Sequence, residues 1–239
     1  VVACSVDPRH LVLDLLGEEQ VGAEIAGKIR RYEWGDSFFA IWAALDRPIA
    51  YAAGPEVGRA GYVHAGADSL DQMAATFLEC RGGRLPAAPM VGIINEAGVD
   101  PSRAPAGKGL IKIVVHFVPY RITGDATGRI RGRSWAEVKD AYADYTIDWV
   151  SERYLPGLRE RIIARAVHSP EDMERQIISA VHGTHQHGAF LPYQVGVMRP
   201  IPELGGYRTP LGNVYLCGAG SHPGSGITMA PGRNAAQVI

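Results

Sequence analysis

From Val214 to Asn234 the chain passes through a short apolar strand, Val214-Tyr215-Leu216-Cys217, and then two glycine turns, Gly218-Ala219-Gly220-Ser221-His222-Pro223-Gly224-Ser225-Gly226. Ile227-Thr228-Met229-Ala230-Pro231-Gly232-Arg233-Asn234 follows and starts a helix. Glycine tolerates positive φ and lets a flat or anionic ligand approach the backbone closely. Pro231 suits the first helical position, where no N–H is needed and φ is already helical. The unpaired amides of such a helix start carry partial positive charge and can face a carbonyl or a phosphate. Taken alone, the segment is equally a tight strand-to-helix connection that binds nothing, and the glycine count leaves both readings open.

The rest of the chain reads as mixed α and β. Strands are predicted at residues 1–4, 36–46, 62–65, 90–95, 110–118, 162–167 and 214–217, with a helical stretch through Leu11, Leu15 and Leu16. A helix is predicted from Asp68 to Arg81, where Leu70, Met73, Ala74, Phe77 and Leu78 follow a 3.6-residue stripe and Gly82-Gly83 stops it. A second runs from Trp135 to about Arg153. Ser134 and Glu137 make a capping box, and Trp135, Val138, Tyr142, Tyr145 and Trp149 share one buried face. Ser169-Pro170-Glu171-Asp172 starts a short helix with its cap, proline and acids in place. The middle strands lack a regular βαβ rhythm, so a mostly antiparallel sheet is expected.

Composition narrows the class. With 239 residues, 46% of them hydrophobic and 21% charged, the chain can bury a substantial core. Its 24 basic and 25 acidic residues leave a net charge of −1, which excludes a globally basic nucleic-acid binder. Cys4, Cys80 and Cys217 form neither a disulfide framework nor a metal knuckle, so a reducing, cytoplasmic setting is expected. The chain opens on Val1-Val2-Ala3-Cys4 and closes on Ala236-Gln237-Val238-Ile239 without a helix stop; both ends read as cuts, or as edges that dock onto another chain.

The glycine tail, from Leu216 to Gly226 and again over Ala230 to Ala236, resembles the C-terminal flavin-binding signature of the phytoene-desaturase-like FAD oxidoreductases, within the amine-oxidase and glutathione-reductase-type flavoproteins. Further segments resemble that family in order: Ala3-Cys4-Ser5-Val6-Asp7-Pro8-Arg9, the Pro-rich loop Asp100 to Lys108, Met198-Arg199-Pro200, and Gly206-Tyr207-Arg208-Thr209-Pro210. The family's N-terminal Gly-x-Gly-x-x-Gly turn, which holds the FAD pyrophosphate, is not in this sequence. The resemblance therefore corresponds to the C-terminal half of such an enzyme, which alone would bind FAD poorly.

The resemblance implies a fold of α+β and α/β parts. Residues 31–189 would be a substrate-binding domain with a mostly antiparallel sheet and flanking helices. Residues 1–30 and 190–239 would close a Rossmann-like FAD-binding domain. It also implies that Gly218, Ala219, Gly220, Ser221, Gly226, Ile227, Thr228 and Met229 lie along the flavin and that His187 borders the substrate. The implied reaction is hydride transfer from a C–H bond of a hydrophobic substrate to flavin N5, of the desaturase or dehydrogenase type. The expected partners are that substrate and the N-terminal Rossmann half, in the same or a separate chain, with no nucleic acid. No membrane-surface contact is indicated. The competing reading is a non-catalytic subunit or scaffold half of a split flavoprotein.

Other candidates read as structural. His182, His185 and His187 crowd one segment but lack a familiar zinc spacing, so no metal is expected. Thr184 stands where the family usually has Asn, whereas His187-Gly188 is retained. Arg129, Arg131 and Arg133 read as a solvated loop. Ser221-His222 is not a hydrolase pair, because adjacent side chains seldom face each other and no nucleophile-elbow context surrounds them. No residue stands out as a catalytic acid or base.

Overall fold

The computed structural model describes residues 1–239. In chain order the strands are β1 (Val2–Cys4), β2 (Ser37–Leu45), β3 (Tyr62–Ala65), β4 (Arg84–Leu85), β5 (Met90–Asn95), β6 (Gly109–Val118), β7 (Gly124–Asp125), β8 (Ile162–His168) and β9 (Val214–Leu216). The helices are α1 (Glu18–Val21), α2 (Ala23–Arg30), α3 (Leu70–Arg81), α4 (Glu96–Val99), α5 (Trp135–Arg153), α6 (Leu158–Arg161), α7 (Pro170–Gln176) and α8 (Ala230–Val238). Two compact units result, one from Val1–Gly35 with Met173–Ile239, the other from Asp36–Asp172.

The Asp36–Asp172 unit is built on a five-stranded sheet in the order β3-β5-β6-β2-β8. Each neighbouring pair is antiparallel, as the missing βαβ rhythm predicts. Alternation does the sorting: Phe39, Ile41, Ala43 and Leu45 of β2 and Ile111, Ile113 and Val115 of β6 all turn into one core. Helix α5 packs there through Trp135, Val138, Tyr142 and Trp149. Its start carries the predicted capping box between Ser134 and Glu137. Phe39 stacks on Trp135 with ring centroids 5.3 Å apart, and the Trp135 indole N–H donates to the Pro119 carbonyl at 3.1 Å. The buried indole thus keeps a partner.

Helix α3 departs from the amphipathic expectation. Its apolar stripe faces out, with Leu70 81% and Leu78 67% exposed. The side that packs carries Thr76 and Cys80. Thr76 Oγ1 donates to the Ala88 carbonyl at 3.1 Å, Gln72 Nε2 to the Gly66 carbonyl at 3.1 Å, and Glu79 accepts from the Ala87 amide at 3.2 Å. These polar contacts set the rotation of the helix, because each satisfies a backbone group that would otherwise lose water on burial.

In the other unit, β1 and β9 pair in parallel, Val2 opposite Val214 and Cys4 opposite Leu216. Their core joins Leu11, Val12, Ala26, Ile29, Ile201 and Leu204. The unit boundaries fall at 35/36 and 172/173, against 30/31 and 189/190 expected from the sequence. The reason is bonding back to the first 35 residues. The Asp7 amide donates to Ser179 Oγ at 3.1 Å, the Tyr32 hydroxyl to the His187 carbonyl at 3.1 Å, and the Ala189 amide to the Glu33 carbonyl at 2.8 Å.

Candidate functional site

The site starts where two parallel strands end. Past Leu216, the Cys217 amide still donates to the Cys4 carbonyl at 2.9 Å, and then both chains turn away. Parallel strands that end together leave a crevice at their carboxyl ends, the usual ligand position in such sheets. On the β1 side Asp7, fully buried, accepts from the amides of Arg9 and His10 at 2.9 and 3.1 Å and so begins the helical turn His10–Leu16. On the β9 side lies the glycine segment. A Cβ on Gly218 would fall 2.3 Å from the Ser5 carbonyl oxygen, and one on Gly220 would fall 2.6 Å from Pro8. Only glycine lets the two turns lie this close.

The glycine segment and the start of α8 enclose a groove of about 480 Å³. Of the predicted cofactor residues, Gly218, Ala219, Ile227, Thr228 and Met229 line it. Gly226 is exposed beside the lining, whereas Gly220 and Ser221 are buried and lie outside it. Gly224 and Ser225 of the glycine turns and Pro231 at the helix start also line it, as do Cys217, Gly232 and Arg233, which the sequence reading did not assign. Ile227 and Met229 project their side chains into solvent, 93% and 77% exposed, from backbones at φ +56° and +58°. A β-branched residue in the left-handed region is an outlier that costs roughly 1–3 kcal/mol, and such strain concentrates at ligand clamps.

Tyr207 ties α8 to the loop. Its hydroxyl donates to the His222 carbonyl at 3.0 Å and accepts from Asn234 Nδ2 at 2.9 Å. At the start of α8 the Ala230 amide donates to the Thr228 hydroxyl at 3.3 Å, Pro231 has no N–H, and the Arg233 amide donates to the Met229 carbonyl at 3.0 Å, which leaves the Gly232 amide for an anionic ligand. Arg233 adds a full positive charge to the wall. Burial first, and the neighbouring Cys4 second, push the Cys217 thiol up, so it stays protonated and is no nucleophile at neutral pH.

Behind the groove stands Arg199, a residue the sequence marks only as part of Met198-Arg199-Pro200. It is fully buried and donates to carbonyls alone: Ala219 from Nε and Nη2 at 3.1 Å each, Ala189 and Gln194 from Nη1 at 3.2 and 3.3 Å, Gln186 and Gly188 from Nη2 at 2.6 and 3.2 Å. Its guanidinium also lies 4.6 Å from the Phe190 ring centroid. One side chain thus joins the 186–194 loop to the glycine segment. A lone buried cation leaves no periodic signal in sequence.

His187 sits on that loop, its Cβ 3.6 Å from the place a Cβ on Gly220 would occupy. It abuts the glycine segment without lining the groove. Burial lowers its pKa, and the nearby Arg199 and His185 add to that against the pull of Asp7, so the ring is neutral at pH 7. Its Nδ1, Ser221 Oγ and His222 Nδ1 are buried without hydrogen-bond partners, and none of the three residues lines the groove. No group of three His, Cys, Asp or Glu side chains converges to hold a metal, and no helix is long and apolar enough to cross a membrane. The arrangement suits a planar ring laid on glycine backbone and flanked by Ile227 and Met229, with its carbonyl edge toward Gly232 and Arg233 at the start of α8.

No family model matches the chain. Whole-chain relatives do. The chain is 30% identical over 247 residues to pyridine nucleotide-disulfide oxidoreductase domain-containing protein 2 of Mus musculus, covering 100% of this chain and 41% of the relative. It is 27% identical over 252 residues to a limonene dehydrogenase subunit of Castellaniella defragrans, covering 100% and 44%. It is 25% identical over 236 residues to the lycopene-forming phytoene desaturase of Pseudescherichia vulneris, covering 95% and 42%. The chain spans about two fifths of the length of these curated relatives.

Proposed function

We propose that the chain is part of a phytoene-desaturase-like oxidoreductase, as its relatives support, and that its glycine groove holds the isoalloxazine side of FAD in an enzyme that oxidises a C–H bond of a hydrophobic substrate. FAD, when bound, supplies the two-electron acceptor for the hydride, taken at its N5. This chain supplies position and charge. Gly218, Ala219 and Gly224 present backbone flat enough for a ring to lie against. Ile227 and Met229 cover apolar surface and exclude water. The positive end of α8, with the Gly232 amide and the Arg233 side chain on the groove wall, favours negative charge at the ring edge that faces it. His187, held neutral, offers a hydrogen-bonding nitrogen near the substrate side. The reading needs no acid or base from this chain, since holding the C–H bond near its acceptor supplies much of the rate.

The observation that carries this reading is the pair of exposed, strained apolar residues, Ile227 and Met229, on a groove whose floor is glycine. Relatives named for limonene and phytoene support a hydrophobic substrate. The pyrophosphate site belongs to a Gly-x-Gly-x-x-Gly segment that this sequence does not contain, so the proposed partner is a dinucleotide-binding half, fused or separate. The three free cysteines accord with a cytoplasmic setting. The test is co-expression with such a half. A yellow complex whose flavin fluorescence is quenched is expected. Colourless protein in every pairing would refute the reading and leave a scaffold role.

A further inference from the structure

The Asp36–Asp172 unit contains a second cavity, about 320 Å³, at the β3 edge of its sheet. That is the lower end of the roughly 300–1,000 Å³ range of small-molecule sites. The loop after β2 forms one wall and is fastened to the end of α5 by the Ala52 amide donating to the Tyr154 carbonyl at 2.9 Å. Val57, Val63, Ala65, Met90 and Val91 supply apolar surface. Asp68 and Arg153 contribute charges of opposite sign, so the lining favours no ionic ligand.

Tyr51 differs from the other polar residues of the lining. It is 8% exposed, and its hydroxyl is buried with no hydrogen-bond partner. An unpaired buried hydroxyl is costly and uncommon. The other lining polar groups differ: the His116 Nε2 meets the Tyr62 hydroxyl at 3.2 Å, and the His64 ring lies 5.9 Å from that of His116 and 4.5 Å from that of Tyr62. Burial also pushes the Tyr51 phenol up to about 12, so at neutral pH it is a donor and never an anion.

We propose that this cavity binds a small, neutral, mostly apolar molecule whose one hydrogen-bond acceptor, a carbonyl or ether oxygen, takes the proton of the Tyr51 hydroxyl. The site lies in one unit and stands whether or not the glycine groove holds FAD.

The test uses the 239-residue chain and two probes of similar shape, acetophenone and ethylbenzene, in a saturation-transfer NMR titration. Both are expected to bind saturably, acetophenone about 2- to 10-fold more tightly, the range one such hydrogen bond provides. Tyr51→Phe is expected to bring that ratio to one while ethylbenzene binding persists. Val57→Trp, which fills the space, is expected to abolish both, with far-ultraviolet circular dichroism confirming the fold. Absence of saturable binding by either probe, equal binding in the unsubstituted chain (as when a water satisfies Tyr51), or a preference that survives Tyr51→Phe would overturn the proposal.

Discussion

The guanidinium of Arg199 donates to the carbonyl of Ala219 through both Nε and Nη2, at 3.1 Å each. Ala219 lines the groove and Arg199 does not, so the cation acts on the site through the backbone it holds. Arg199→Met should unfasten five carbonyls, those of Gln186, Gly188, Ala189, Gln194 and Ala219, and destabilise the protein by at least ~3 kcal/mol. Arg199→Lys should recover little, because an ammonium cannot reproduce the planar fork. Urea denaturation of both variants measures this, and near-native stability for Lys would show that charge alone suffices.

Met229 offers the opposite test, a groove residue with little role in stability. Met229→Asp should leave denaturation unchanged within ~0.5 kcal/mol, since the side chain is exposed. Flavin affinity, read by fluorescence quenching in the complex completed by a dinucleotide-binding half, should fall at least tenfold, because stripping water from a carboxylate to seat the ring against it costs more than ~1.4 kcal/mol. Unchanged quenching would place the ring elsewhere.

Asp172 links acid to unfolding in the sheet unit. Burial raises its pKa, but the Ser169 amide at 3.0 Å, Lys139 at 3.1 Å and the Ser169 hydroxyl at 2.9 Å outweigh it and bring the carboxyl to about 2. A depressed folded-state pKa adds stability above the unfolded value near ~3.9, and that stability is lost as pH falls toward 2. Asp172→Asn should therefore cost about 2 kcal/mol at pH 6, with the gap to the unsubstituted protein closing between about pH 4 and pH 2. Parallel denaturation curves across that window decide it; a constant gap would mean the ionised form is not what matters.

Helix α3 permits a paired comparison. Leu78→Ser should change stability by less than ~0.5 kcal/mol, despite removing a large apolar side chain, because that side chain is mostly exposed. Thr76→Val, nearly isosteric, should cost about 1 kcal/mol or more by leaving the Ala88 carbonyl without its donor. If Leu78→Ser were the costlier change, the apolar stripe would be buried in solution.

Much of the fold was legible. The strands at 62–65 and 90–95 and the helix from Trp135 to Arg153 stand where alternation, 3.6-residue spacing and the Ser134–Glu137 box place them. These are local signals, written within a few residues of the structure they make. The glycine segment was legible as a pair of tight turns, but its two sides were not. Gly218 and Ala219 open onto the groove while Gly220 and Ser221 turn inward, an alternation fixed by Ser5 and Pro8 near the opposite end of the chain.

By itself the sequence determined the long strands of the central sheet and its antiparallel pairing, the helices at 70–81 and 135–153, and that glycines must stand where two chain turns crowd together, but it did not mark the short elements α2, β4, α4, β7 and α6. Tertiary structure alone decided which face of α3 is covered, that Arg199 rather than a histidine organises the 186–194 loop, and that the hydroxyl of Tyr51 is buried without a partner. The physical reason is the same in each case. Periodicity shows that an element has two faces, but the face that packs is chosen by hydrogen bonds and contacts to residues far along the chain, such as Ala88 for Thr76 and Ala219 for Arg199.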